Sequence, residues 1–232
     1  MYFMEDAMPE NRLDAPADYT EEARPARVSY TLRYTGLPAL GQLVAVAVAA
    51  AVYTVLSWLS IPIPSGIPLV SALFIAIGFG IPFALWFGGW AFVIAYLGNF
   101  LGAGLLSPQP LPLPVALWFG TVDLIQLGLP MILYRLLAPR FGVSSIGKDV
   151  LTVRGFIFFV LCAVLPNNIL GGLYGNFILV ATGTAPANTL LPGWLVWSLS
   201  NIVVTIIIGP ILLRALGPVV ERSGLTIRNM LN

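Results

Sequence analysis

The residues of this chain that could bind or react are a few amides and one carboxyl inside long apolar segments: Asn99, Asp123, Gln126, Asn167, Asn168 and Asn201. Polar groups are costly in the hydrocarbon core of a membrane, so they usually face the protein interior or a cavity. Asn99 and Asn201 lie about 10 Å, and Asp123 about 12 Å, from the outer ends of their segments at 1.5 Å per residue. This spacing predicts one polar layer to which four helices contribute.

Asp123 is the only ionisable residue deep in these segments, and no Lys or Arg lies there as a counter-ion. We expect its carboxyl to be protonated, hydrated in a cavity, or matched by a ligand that donates hydrogen bonds. In one interpretation the layer is a cavity for a small molecule, and Trp194 or Trp197 stacks on a ring of that molecule. In the other interpretation the layer is an interhelical hydrogen-bond cluster that only holds the bundle together.

The composition excludes several classes of function. The chain has no histidine and a single cysteine, Cys162, so no metal site, haem ligation or disulfide framework is expected. We find no nucleophile–base pair, phosphate-binding loop or dinucleotide-binding glycine pattern, so we expect neither an enzyme nor a cofactor. The net charge of +1 argues against a nucleic-acid partner.

Hydropathy places these residues in a membrane. Hydrophobic residues make up 58% of the chain and charged residues 9%, far below the 25% or so of soluble domains. The apolar segments predict an all-α bundle of six transmembrane helices in the cell membrane, surrounded by lipid. The predicted helices cover residues 40–59, 67–83, 86–106, 115–137, 153–182 and 194–216.

The basic residues predict the orientation of this bundle. Ten of the eleven Lys and Arg residues fall in three clusters, before the first helix, after the fourth and after the sixth. Because Lys and Arg are retained in the cytoplasm, both chain ends are expected there. We therefore divide the chain into a flexible acidic tail (residues 1–34), the six-helix domain (35–218) and a short cytoplasmic tail (219–232).

The first helix also carries alanines at four-residue spacing: Ala45, Ala47, Ala49 and Ala51. Small residues at this spacing let two helix backbones approach closely in a membrane. The alanines therefore indicate either packing within the bundle or docking of a second membrane subunit.

Three segments resemble the substrate-binding S components of energy-coupling factor (ECF) vitamin transporters. These are PLVSALFIAIGFGIPFALWFGGWAFVIAYLGNFLGAGLL from Pro68, which contains the pair Gly98–Asn99, the alanine-rich AVAVAAAVYTVLS, and SNIVVTIIIGPILLRAL near the end. The resemblance implies six helices, capture of a small vitamin-like substrate from outside, and docking of the alanine face on a transmembrane coupling subunit that works with ATPases.

Two alternatives remain open from the sequence. KDVLTVRGFIFFVLCAVL, with the later GGLYG and WLVWSLSN, resembles the integral membrane sensory domains that signal to cytoplasmic output modules. A structural subunit of a larger membrane complex is the other alternative, and in that case the polar layer is packing alone.

Overall fold

The computed structural model describes residues 29–231, and that part of the chain is helical with connecting loops. Most of the predicted acidic tail, residues 1–34, lies outside the described residues. The helices are α1 (Leu40–Ser60), α2 (Ile75–Phe87), α3 (Ala91–Leu97) with a π-helical extension (Gly98–Leu105), α4 (Leu113–Phe119), α5 (Val122–Phe141), α6 (Val153–Phe159), α7 (Leu165–Ala181) and α8 (Leu190–Arg222). A π-helical turn, Val160–Val164, joins α6 to α7.

Five helical stretches of the described chain are long and apolar enough to cross a membrane, so the prediction of six such spans is wrong in number. The second stretch, Ile75–Leu105, contains the second half of the predicted second helix (residues 67–83) and nearly all of the predicted third helix (residues 86–106). At Gly88 the backbone has φ 59° and ψ −132°, which is not helical. On either side of this glycine, α2 and the α3 arm are each roughly 20 Å long, short of the 30 Å or so of a hydrocarbon core.

The two arms of this stretch run back alongside each other. Gly80 on α2 and Gly98 at the end of α3 both lie against the ring of Tyr53 on α1. In a straight helix these two glycines would be about 27 Å apart, too far for one ring to touch both. The chain therefore turns back at Gly88, where the sequence contains no charged loop that would mark a reversal.

Two further long stretches contain a break in the regular α-helix. Gly120 and Thr121 separate α4 from α5 within Leu113–Phe141. The wide turn Val160–Val164 ends two residues before Pro166, which has no N–H for the helical ladder. A proline inside a helix is a common cause of such an irregularity.

Both ends of the described chain meet at one end of the bundle, called here the terminal end. The backbone N–H of Thr31 donates to the carbonyl of Arg228 at 2.8 Å, and that of Met230 donates to the carbonyl of Arg33 at 2.8 Å. Burial raises the pKa of the neighbouring Tyr30 phenol above its ordinary value. The opposite end carries loops 61–74 and 106–112 and is called the loop end.

Arg135 on α5 links the two ends of the described chain by hydrogen bonds. Its guanidinium donates to the carbonyls of Thr31, Ile227, Arg228 and Asn229 at 2.7 to 3.1 Å, and it lies 5.6 Å from the centre of the Tyr30 ring. The side chain is buried, at 4% exposure. Four carbonyl acceptors take the place of an acidic partner for this buried charge.

The outside of the bundle is apolar along its length. Val44, Val48 and Val55 on α1 and Leu199 and Val203 on α8 are all more than half exposed. An apolar surface of this extent is expected where lipid, and not water, surrounds the protein.

Candidate functional site

A small internal cavity of about 30 Å³ lies near the loop end, between the α3 extension, the α4–α5 stretch and α8. Three of the predicted ligand-binding residues line it: Asn99, Trp197 and Asn201. Two loops close it on the loop-end side, through Leu69 and Ser71 of loop 61–74 and Gln109 of loop 106–112. No charged side chain is among its lining residues.

A larger hollow of about 490 Å³ lies outside these loops and is called the vestibule. Ile61, Leu69 and Gln109 line both the cavity and the vestibule, so these three residues form the partition between them. Leu69 is also the only described residue other than glycine with a positive φ, at 61°. Such a backbone conformation is strained for a bulky side chain and tends to occur at functional loops.

Loop 61–74 is fastened to the end of α1. The hydroxyl of Ser71 donates to the carbonyl of Ser60 at 2.6 Å, and the Ser60 hydroxyl accepts from the backbone N–H of Ile75 at 2.9 Å. Within the loop, Ser65 donates to the carbonyl of Val70 at 2.5 Å. These bonds explain why α2 begins at Ile75, eight residues later than residue 67 in the sequence prediction.

One hydrogen bond and one aromatic contact join the helices that line the cavity. Asn99 donates through Nδ2 to the carbonyl of Phe119 at 2.8 Å. The Phe119 and Trp197 rings stand edge to face, with centroids 5.9 Å apart. Trp197 fits because Gly175 faces it on α7, where a Cβ atom would lie 2.9 Å from the indole ring. The indole Nε1 of Trp197 is buried and has no hydrogen-bond partner among the described residues.

Three amides of the polar layer are fully buried without partners in the described part of the chain: Gln126, Asn167 and Asn201. Both polar side-chain atoms of each are unpaired. Gln126 packs against α7 at Gly171, where a Cβ atom would lie 2.3 Å from its Cγ. An unpaired buried polar group costs about 1–3 kcal/mol, and these three amides make no interhelical hydrogen bond within residues 29–231.

Asp123 is held by α1 and does not line the cavity. Its Oδ2 accepts a hydrogen bond from the hydroxyl of Tyr53 at 2.8 Å, and both side chains have zero exposure. Its Oδ1 has no partner among the described residues. The carboxyl therefore makes its one bond to the first helix, and its contact with a ligand stays a prediction.

The other predicted ligand-binding residues also lie outside the cavity. Asn168 donates to the carbonyl of Val164 at 2.8 Å and to the hydroxyl of Thr205 at 3.3 Å. Trp194 donates from Nε1 to the carbonyl of Ile169 at 2.9 Å. Gln126 packs against Gly171 of α7, and Asn167 is fully buried on α7; neither lines the cavity. Of the eight predicted residues, the structure thus brings three together around the cavity.

The alanines of α1 divide between two faces. Ala49 is buried and Ala45 packs against the core, whereas Ala47 and Ala51 are exposed. Only the pair Ala47 and Ala51 is therefore available to a second membrane subunit.

Several residues of the site are not among the predicted ones. Gln109, Ser71 and Phe119 line the cavity, and Tyr53 binds Asp123. Tyr53 is the only tyrosine in the alanine- and valine-rich α1, which is a signal that could have singled it out. The loop residues carry no such signal, because their place depends on how loop 61–74 folds back. No group of three metal-ligating side chains occurs within residues 29–231.

No protein-family model matches this chain, and no curated protein and no solved structure shows significant similarity to it.

Proposed function

We propose that this chain is a membrane subunit that captures a small uncharged molecule in the cavity beneath loops 61–74 and 106–112. The observation that carries the proposal is the wall of that cavity, where Asn201 and the indole of Trp197 are buried with unpaired polar atoms. A ligand that donates and accepts hydrogen bonds would satisfy them. Mostly apolar walls with a few convergent polar groups are typical of small-molecule sites.

The chemistry of the wall favours a neutral ligand. The polar side chains that line it are amides, hydroxyls and one indole: Ser71, Asn99, Ser107, Gln109, Trp197 and Asn201. These groups recognise hydrogen-bonding atoms but do not balance a full charge in an apolar surrounding. The edge-to-face pair of Phe119 and Trp197 offers a flat apolar contact for a ring.

The size of the cavity indicates a closed state. About 30 Å³ holds roughly two water molecules, whereas small-molecule sites occupy about 300–1,000 Å³. Entry of a ligand therefore requires the partition of Ile61, Leu69 and Gln109 to move, which would join the cavity to the vestibule. The strained backbone of Leu69 is consistent with a loop that has a second conformation.

Two surfaces support the proposed partner and orientation. The exposed pair Ala47 and Ala51 on α1 is suited to close helix packing by a transmembrane coupling subunit with ATPases. Basic residues lie at the terminal end, where Lys148 pairs with Glu221 and Arg135 is buried. The positive-inside rule would place this end in the cytoplasm. Together these features support an uptake subunit of the ECF type in the cytoplasmic membrane.

The proposal is tested by purifying the protein in lipid nanodiscs without detergent exchange and analysing it by native mass spectrometry. We expect a retained small molecule, together with a coupling subunit and an ATPase. We expect the Gln109→Ala variant, altered at an exposed loop residue, to fold normally and retain less of that molecule. A co-purifying kinase or cyclase would favour the sensory alternative. Absence of any small molecule, with stable membrane partners, would favour a structural subunit.

A further inference from the structure

Tyr53 reaches from α1 into the centre of the bundle through a slot made by two glycines. A Cβ atom on Gly98 would lie 2.2 Å from the Tyr53 ring, and one on Gly80 would lie 2.6 Å from it. Real Cβ atoms do not approach other atoms this closely, so any larger residue at either position would displace the ring. The slot therefore fixes where the Tyr53 hydroxyl lies.

The hydroxyl and the slot contact two segments that form the cavity wall. Gly98 directly precedes Asn99, and Asp123, which accepts the Tyr53 hydrogen bond, lies four residues beyond Phe119 in the chain. Asn99 and Phe119 line the cavity and bind each other at 2.8 Å. A shift of Tyr53 would thus act on both sides of that wall.

The opposite face of α1 is the exposed face that carries Ala47 and Ala51. Tyr53 is buried on the inner face of the same helix. A rigid helix moved from one face carries the other face with it, so the two faces are mechanically joined.

We propose that Tyr53 and Asp123 are positioning residues, and that the hydrogen bond between them makes the placement of α1 control access to the cavity. The physical coupling stands on the contacts above, and only its use in ligand capture rests on the proposed function. When α1 is in place, Tyr53 holds the segments of Asn99 and Phe119 closed. When the bond is broken, the wall loosens and α1 can shift together with Ile61, which caps its C-terminus and belongs to the partition. The cavity then admits small molecules from the loop end.

The test measures access to the cavity with a thiol reagent, so no ligand needs to be known. The native Cys162 is buried and is changed to alanine. Ser107, which lines the cavity and is buried, is changed to cysteine. The rate at which a small methanethiosulfonate labels this cysteine in nanodiscs then reports how often the cavity opens.

We expect Tyr53→Phe to raise the labelling rate about fivefold, the factor that matches the loss of one hydrogen bond. Asp123→Leu should do the same, and the double variant should label no faster than either single variant, because all three remove one bond. Asp123→Asn keeps an oxygen acceptor and should label at the parent rate. The parent rate in Asp123→Asn would show that the hydrogen bond sets the labelling rate, and that a substitution at position 123 does not by itself disturb the packing.

Tyr134→Phe is the matched control, because the Tyr134 hydroxyl is buried but has no partner among the described residues. Its labelling rate should equal that of the parent. The proposal is overturned if Tyr53→Phe labels at the parent rate, or if Tyr134→Phe raises the rate equally. If Tyr53→Phe does not fold, the labelling rates of Asp123→Leu and Asp123→Asn test the proposal, and equal rates in these two variants would overturn it. A response of the labelling rate without any retained molecule would remove ligand capture but keep the coupling.

Discussion

Replacing Asn201 by leucine separates the two roles that the polar layer could have. Both polar side-chain atoms of Asn201 are buried and unpaired within the described chain. Taking about 1 kcal/mol for each, the low end of the usual range, leucine removes a cost of about 2 kcal/mol. For a protein of this size that raises Tm by about 4–8 °C. We therefore expect ligand-free Asn201→Leu to be more stable than the parent and to retain no small molecule.

The assay is thermal unfolding followed by tryptophan fluorescence, combined with native mass spectrometry of the same samples. Asn176→Leu is the matched control. Asn176 is also a buried asparagine near the loop end, but its Nδ2 donates to the carbonyl of Gly172 at 2.8 Å. Loss of this hydrogen bond in Asn176→Leu should lower Tm. If Asn201→Leu lowers Tm as much as Asn176→Leu does, Asn201 serves packing and the reasoning about unpaired amides is refuted.

Three further predictions concern the framework. Gly98→Ala should lower stability by about 1–3 kcal/mol through overpacking, because its Cβ would meet the Tyr53 ring. Gly41→Ala should be neutral in thermal unfolding, because its Cβ would make only an ordinary contact with Leu225 at 3.9 Å. Arg135→Gln should leave the carbonyl of Thr31 and those of residues 227–229 without their guanidinium donor, and it should speed hydrogen exchange of residues 223–231. Unchanged exchange would contradict the idea that Arg135 holds these two segments together. Lys148→Gln removes a surface ion pair and should change stability by less than about 1 kcal/mol.

The positions of most helices could be predicted from hydropathy alone. The predicted first helix, residues 40–59, matches α1 (Leu40–Ser60) within one residue. Apolar length determines such a helix because each backbone polar group must be satisfied inside the bilayer. The last helix was predicted to end at residue 216, but α8 continues to Arg222, past Pro218. Its end lies beyond the apolar segment, where hydropathy gives no signal.

The reversal at Gly88 and the residues of the cavity could not be predicted in the same way. Gly88 reverses the chain by a backbone conformation that only glycine adopts readily, and no change in polarity accompanies it. The polar layer could be predicted from depth, but depth does not say which side each group faces. Asn201 therefore lines the cavity while Asp123, at similar depth, binds Tyr53.

Arg135 shows a second limit of sequence reasoning. Arg135 belongs to the middle of the three basic clusters, with Arg140, Lys148 and Arg154. The prediction of orientation counts every basic residue alike. The structure buries Arg135 among backbone carbonyls, while Lys148 lies exposed beside Glu221. The difference arises because acceptors from distant segments converge on Arg135, a pattern that no local window contains.

The hydrogen bonds of Arg135 to the carbonyls at the terminal end have a consequence for how the protein is synthesised. A ribosome releases α5 into the membrane well before residues 227–229 exist, since these partners come more than ninety residues later in the chain. Until then the nascent protein carries a guanidinium without its final acceptors. Assembly of the terminal end is therefore a late event in synthesis, and a chain that stops before residue 227 would lack three of the four carbonyl acceptors of this guanidinium.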